Sequence, residues 1–228
     1  MKSEFGQFCP IALASEVLTQ KWMLLIVREL NAGSTRFNDI RRGVPRISAT
    51  LLKQRLDQLE QAGAIVRKPI KKANADEYLL TEAGRELKDV LGSIGEWGQR
   101  WARDIEKDDL DPGWLVWAMH RRLDTVAMPK GRTVLEIEFS DASKNHRLFW
   151  LVCVDGNVDV CVKSTGFNVD LRVTTRVQTL AEVWRGIRPI QTEIARGRII
   201  LEGNTALKRA FPKWLLFSVF AKTKRKRV

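Results

Sequence analysis

ISATLLKQRLDQLEQAGAIVRKP, residues 47–69, decides the fold. Leu52, Leu56 and Leu59 recur at three- and four-residue steps, the spacing of a buried stripe along an α-helix. Ser48 stands just ahead of the first turn, where a hydroxyl satisfies an otherwise unpaired backbone N–H. Gly63 is a natural stop. The spacing therefore predicts a helix over 48–62 whose polar positions face outward, with a hairpin over 64–80 after it.

Working outward, helical periodicity predicts helices at 10–19, 21–31 and 36–42 before this one and a long helix from 82 to about 106 after the hairpin. Between Arg36 and Lys72 stand ten Lys or Arg against three acids, Asp39, Asp57 and Glu60. The rest of the first 110 residues is net acidic, so the positive charge is focused on the central helices and the hairpin, as on a surface that tracks phosphates. Ser48, Thr50, Lys53 and Gln54 on the first turns of the 48–62 helix suit base edges in a major groove, and Arg46 suits a phosphate. Arg67, Lys68, Lys71 and Lys72 make the hairpin a basic wing against backbone or minor groove. Each charge taken singly reads as a solvated side chain; the helix order joins them into a winged helix-turn-helix that binds double-stranded DNA.

The motifs Cys9-Pro10, Lys21-Trp22, Arg36-Phe37, Ile47-Ser48 with Leu51-Leu52, the run Leu56 to Gly63, and Tyr78 with Leu80-Thr81-Glu82-Ala83-Gly84 carry a resemblance. In order and spacing, residues 9–101 resemble the HxlR family of bacterial winged-helix regulators. The resemblance implies a homodimer on a pseudo-palindromic operator, with the first and last helices of the domain packed across the two-fold axis. Leu87, Val90, Leu91, Ile94, Trp97, Trp101 and Ile105 form an apolar stripe on the last helix that suits such an interface; packing against the chain's own second domain is the alternative. Some family members sense oxidants through the N-terminal cysteine, here Cys9. Pro10 opening a helix would set Cys9 near its N-terminus, where thiolates are favoured, and a small buried residue is the competing reading.

At 228 residues and 44% apolar, the chain is long enough for two cores. Helical spacing gives way to period-two alternation from Thr133 to Thr175, and the charged run Glu106 to Pro112-Gly113 reads as the end of the long helix, which predicts domains at 1–110 and 111–228. Three scattered cysteines, Cys9, Cys153 and Cys161, make neither a disulfide framework nor a zinc set, so no metal or cofactor is expected. No signal segment or membrane-length apolar run is seen, and a cytoplasmic location is expected.

In the second half, strands are predicted at 133–139, 147–154, 158–163 and 169–175, with Asp155-Gly156-Asn157 closing a hairpin. Arg147 to Val154 is apolar on both faces and belongs inside a sheet covered on both sides. Helices fit 178–184, 189–195 and 205–210, with a strand at 198–202. The Val-Asp-Leu-x-Val-Thr strand (169–174), Trp184 before Gly186, Gly197-Arg198-Ile199 and Glu202-Gly203 are similar to the sterol-carrier-protein-like α+β fold over about 130–221. That resemblance implies an apolar tunnel for a lipid-like molecule. Trp150, Phe167, Trp184, Ile187, Phe211, Trp214 and Phe217 are the residues to line it, with Arg172, Arg185 or Arg188 to meet a carboxylate; the same rings equally fill an ordinary core. The end of the chain reads as a short apolar helix followed by a solvated basic tail from Lys222 to Arg227.

No HExxH, GxSxG, phosphate-binding or dinucleotide-binding glycine motif is present, and Glu136 with Glu138 reads as a solvated strand face, so an enzyme is not expected. The reading is a homodimeric, DNA-binding transcription regulator modulated by a hydrophobic small molecule in its C-terminal domain. The alternatives are a lipid carrier whose helical N-terminal domain serves interaction, and an oxidant sensor acting through Cys9.

Overall fold

The computed structural model describes residues 5–71 and 75–226. Two compact units divide the chain, Met1–Gly95 and Glu96–Val228.

Unit 1 is built from α1 (Pro10–Leu18), α2 (Met23–Asn31), α3 (Phe37–Gly43) and α4 (Ala49–Gln61), then β1 (Ile65–Pro69) and β2 (Asp76–Leu80), then α5 (Glu82–Trp101), of which residues 82–95 belong to unit 1 and 96–101 to unit 2. Its core gathers Met23, Ile26, Ile40, Leu52, Leu56, Leu59 and Ile65, each almost fully buried, so the leucine stripe of α4 faces inward. β1 and β2 pair antiparallel with Ile65 opposite Leu80.

Two glycines of unit 1 are close-approach points. A methyl group on Gly84 would lie 2.0 Å from the Ala64 carbonyl oxygen, so the Thr81-Glu82-Ala83-Gly84 turn that opens α5 packs directly on the backbone before β1. A methyl group on Gly43 would fall 1.9 Å from the Glu29 carboxylate, which is buried and ion-paired to Arg28 at 2.9 Å. Arg28 Nη2 also donates to the Gly43 carbonyl at 2.8 Å, which fixes the end of α3 against α2. At the other end of α2, Trp22 adopts φ +79°, an uncommon conformation for a bulky residue, and Lys21 lies over its ring at 5.2 Å.

Unit 2 contains α6 (Pro112–His120), β3 (Arg132–Phe139), β4 (Leu148–Val154), β5 (Asn157–Cys161), β6 (Leu171–Thr175), α7 (Val177–Trp184), α8 (Ile190–Ala195), β7 (Ile199–Gly203) and α9 (Thr205–Trp214). The five strands form one sheet in the order β5-β4-β3-β6-β7; β3 and β6 run parallel and the other neighbours antiparallel. Asp155 and Gly156 both take positive φ in the β4–β5 turn, as a tight two-residue hairpin requires. On the inner face Leu135, Ile137, Phe149, Leu151, Leu171, Val173 and Ile199 meet Leu115 and Met119 of α6, Leu180 and Val183 of α7, and Phe211 and Trp214 of α9 in a single core. β4 is an interior strand buried on both faces, as its unbroken apolar run predicts.

The structure corrects four expectations. α5 ends at Trp101, and a 3₁₀ turn at Lys107–Asp109 follows, closed by reciprocal bonds between Glu106 and Asp109. Pro112-Gly113, read as a stop, opens α6: Asp111 accepts from Trp114 N at 2.8 Å and Pro112 takes the first-turn position, where its missing N–H costs nothing. α9 runs through Pro212 to Trp214, because a proline in the last turn removes little of the hydrogen-bond ladder.

The terminal segment is neither helix nor solvated tail. Leu216 N donates to the Arg122 carbonyl (2.9 Å) and Ser218 N to the Trp184 carbonyl (2.8 Å). Arg225 Nη2 donates to the Ala102 carbonyl (3.0 Å) and Asp104 Oδ1 (2.6 Å), and Lys226 N to the Arg100 carbonyl (3.1 Å). The segment thus straps unit 2 and satisfies carbonyls at the C-terminal end of α5, where a cation is also favoured by the helix dipole. Arg227 lies outside the described residues.

Candidate nucleic-acid interface

α3, the turn after it and α4 form a helix-turn-helix. Ser48 caps α4, its Oγ accepting from Leu51 N at 3.2 Å. With Leu52, Leu56 and Leu59 turned inward, Ser48, Thr50, Lys53 and Gln54 are all exposed on the opposite face, and Arg46 is exposed just before them. The face is held in place from behind. Arg55 donates to the Lys21 carbonyl (3.1 Å), to Gln20 Oε1 (2.6 Å) and to Gln58 (2.7 Å), tying α4 to the turn between α1 and α2.

The wing is anchored from two sides. Tyr78 N donates to the Thr35 carbonyl (2.8 Å), Thr35 Oγ1 to Glu77 Oε1 (3.0 Å), and the backbones of Arg36 and Glu77 form an isolated antiparallel β-bridge, so β2 is stitched to the N-terminus of α3. Arg67 is pinned to α4. Its guanidinium bonds Asp57, stands 3.3 Å from Glu60 and covers the Tyr78 ring at 5.4 Å. The Asp57 hydrogen bond raises the Arg67 pKa, and burial raises that of Tyr78. Arg67 therefore joins wing and helix, a pairing that the charge count of the sequence does not show. Lys68 and Lys71 are exposed; Lys72 lies outside the described residues.

Between α3, α4 and the wing opens a cleft of about 770 Å³ lined by Arg36, Asn38, Arg42, Thr50, Lys53 and Asp76 among others. Arg36, Asn38 and Arg42 thus join Thr50 and Lys53; the sequence reading counted the two arginines only as charge and did not single out Asn38. Their signal lay in the Arg36-Phe37 motif that starts α3.

On α5, Leu87 and Leu91 pack against the core of unit 1, whereas Val90, Ile94, Trp97 and Trp101 are 42%, 46%, 63% and 48% exposed. Phe8 and Ile11, at the start of α1, are 97% and 78% exposed. Cys9 is the N-cap residue of α1, half-buried, with no hydrogen bond from its side chain to the helix.

Of the seven aromatic and apolar residues expected to share one tunnel, Trp184, Phe211 and Trp214 belong to one core and the other four lie outside it. Phe211 and Trp214 stack edge to face inside the core, with Trp214 Nε1 on the Ala127 carbonyl at 3.0 Å. Trp150 sits on the other side of the sheet from its neighbours Phe149 and Leu151 and donates to Glu136 at 2.9 Å. Trp184 meets Trp114 edge-on at 5.8 Å; Phe167, beneath the Arg132 guanidinium, Ile187 and Phe217 are substantially exposed. Glu136, expected in water, is buried and also accepts from Arg172 at 2.5 Å. Arg185 donates to Gln99 Oε1 at 2.7 Å, and burial lowers its pKa.

Among the described residues no cluster of His, Cys, Asp or Glu is placed to hold a metal ion, and no single helix is long and apolar enough to cross a membrane.

A helix-turn-helix with an exposed polar recognition face and a wing stitched beside it defines a winged-helix DNA-binding protein. Residues 17–106 match the family described as HxlR-like helix-turn-helix. The chain is 34% identical over 112 residues to the uncharacterized HTH-type transcriptional regulator YvaP of Bacillus subtilis, covering 48% of this chain and 96% of that protein. It is 36% identical over 99 residues to the regulator sll1512 of Synechocystis, covering 43% of this chain and 73% of that protein. Among solved structures it is similar to the redox regulator HypR in its oxidized form, at 33% identity over 42% of this chain and all of that one, with a TM-score of 0.40. This chain belongs to the HxlR-like helix-turn-helix family and is a transcriptional regulator.

Proposed function

We propose that the protein is a homodimeric regulator that reads DNA with α4 in the major groove and the wing on the adjacent backbone. The observation that carries the reading is the exposed row Ser48, Thr50, Lys53 and Gln54 on a capped, back-braced helix, beside a cleft that adds Arg36, Asn38 and Arg42. Arg46, Lys53 and Lys71 serve phosphates; Thr50 and Gln54 serve base edges. The exposed α5 row Val90, Ile94, Trp97 and Trp101, with Phe8 and Ile11, supports a second copy of the chain as partner, because apolar faces of this kind are rarely left in water. Leu87 and Leu91 support that row from the core side.

The test is fluorescence anisotropy on the DNA upstream of its own coding sequence against random DNA, with sedimentation for mass. A dimer with submicromolar affinity and clear preference is expected, and Ser48→Ala with Lys53→Ala removes it. Equal affinity for random DNA would overturn the reading. Ile94→Lys should yield monomer.

A modulating ligand in unit 2 is part of the same proposal. The sheet order with helices on one face supports the sterol-carrier-protein-like reading, and a groove of about 390 Å³ lined by Ile194, Ile199, Ile200 and Leu201 supports a hydrophobic molecule. Oxidant sensing through Cys9 is the second reading, favoured by its place at the start of α1. Peroxide treatment should then weaken DNA binding in the natural protein and not in Cys9→Ser.

A further inference from the structure

Unit 2 holds a second cavity, of about 650 Å³, where α7 leaves the carboxyl end of β6. Its volume falls within the range of small-molecule sites, about 300–1,000 Å³, and its lining is polar: Ser140, Thr174, Thr179 and Gln178 alongside Arg176, Arg188 and Arg198, with Glu182 as the one acid. Each of the three guanidiniums is tied to an acid at the cavity, and for Arg188 and Arg198 that acid lies below the surface. Glu193 is 2% exposed and takes Arg198 Nη1 at 3.2 Å and Arg188 Nη1 at 3.9 Å. Glu182, 13% exposed, takes Arg188 Nε. Asp141 takes Arg176 Nε at 3.3 Å and also the backbone N–H of Val177 at 3.0 Å, fixing the start of α7.

The arginines are by contrast 71%, 38% and 47% exposed for Arg176, Arg188 and Arg198. Each guanidinium has five N–H donors and commits one or two nitrogens to its acid, so the remaining donors stand on the open side. Two of the three acids, Asp141 and Glu193, do not line the cavity. The charge facing the space is therefore three positive against one negative.

We propose that this cavity binds a small molecule bearing two or more anionic groups, carboxylate or phosphate, held by Arg176, Arg188 and Arg198 with the Thr174 and Thr179 hydroxyls. The buried Glu193 and the largely covered Glu182 pre-set Arg188 and Arg198, so little side-chain entropy is lost there when the anion arrives, while the more exposed Arg176 is held by Asp141 at the rim. The ligand class differs from the hydrophobic molecule of the preceding reading, and the site stands whether or not unit 1 binds DNA.

The experiment is isothermal titration of the full-length protein with two probes, citrate and inorganic pyrophosphate, whose relative affinities separate a polycarboxylate from a phosphate site. One probe per chain is expected to bind. Thr179→Asp adds a negative charge to the cavity at a helix first turn, where aspartate is tolerated, and should weaken binding at least about tenfold with an unchanged circular dichroism spectrum. Arg188→Lys with Arg198→Lys keeps both charges over Glu193, loses the planar fork, and should weaken it by a smaller factor. Arg46→Ala with Lys53→Ala, in unit 1, should leave it unchanged. Absence of binding by both probes, binding indifferent to Thr179→Asp, or binding lost with Arg46 and Lys53 would each overturn the proposal.

Discussion

Residues 111–228 carry 21 basic against 11 acidic side chains, net +10, whereas residues 1–110 carry 18 against 16, net only +2. By net charge the C-terminal half is the better partner for a polyanion. The arrangement of the cations differs as well. In unit 2, Arg147 faces Glu138, Arg172 faces Glu136, Arg176 faces Asp141, Arg188 faces Glu182 and Arg198 faces Glu193. In unit 1, Lys53 lines the cleft between the capped helix and the wing, and Lys68 and Lys71 are exposed on the wing; none of the three has an ion pair among the described residues. Net charge sets the far field, but counterion release at a DNA surface depends on cations free to meet phosphates.

The comparison can be broken most severely by removing the surface that holds the unit 1 cations in place. Gly84→Ala drives a methyl group into the Ala64 carbonyl and should cost about 3 kcal/mol, read as a lower urea midpoint. Gly92→Ala on the same helix meets nothing within 4 Å and should add about 0.5–1 kcal/mol. Equal shifts of the two midpoints would remove the close-packing argument. Next in size, Arg46→Ala with Lys53→Ala should weaken DNA binding about a hundredfold and lower the slope of log affinity against log salt by about 1.8. Arg147→Ala, an exposed unit 2 cation already paired, should leave affinity within about twofold; an equal loss would mean that net charge had decided after all.

Smaller effects sharpen the picture. Arg225→Ala removes the side-chain bonds at the end of α5 and should speed amide hydrogen exchange around residues 100–104 several-fold without moving the exchange of α4; an unchanged rate would return this segment to a solvated tail. Tyr78 is the only tyrosine of the chain, so its phenolate absorbance titrates alone. Burial, opposed by Arg67, holds its pKa above the ordinary 10.0. The folded state thus favours the neutral phenol: the stability it contributes is complete below about pH 10 and declines as pH rises through the higher folded value. A midpoint at or below the ordinary value would contradict the burial of the wing against α4.

Much of the fold was legible in the sequence because its signals are local. The leucine stripe, Ser48 and Gly63 delimit α4; Asp155-Gly156 sets the β4–β5 turn; the apolar run of β4 marks an interior strand. The misreadings have local causes too. Asp111-Pro112 is equally a helix start and a boundary, and Trp114 to Met119 is apolar around its whole circumference and shows no amphipathic period to identify α6. At the candidate interface the exposed row on α4 followed from periodicity alone. The pairing of Arg67 was not legible because Asp57, Glu60 and Tyr78, which engage it, are brought to it by the turn of α4 into β1 and by the pairing of β1 with β2.

By itself, then, the sequence determined the helix-turn-helix, its cap, its wing and the side of α4 that faces outward, since these depend on residues a few positions apart. Only the tertiary structure decided which charges remain free. Glu136 is buried by a sheet whose partners Trp150 and Arg172 lie 14 and 36 residues away; Arg225 reaches Asp104 across 121 residues; and the three-arginine cavity gathers residues from Ser140 to Ile200. An arginine's reach allows many partners, and which one it meets is set by long-range packing that no local pattern records.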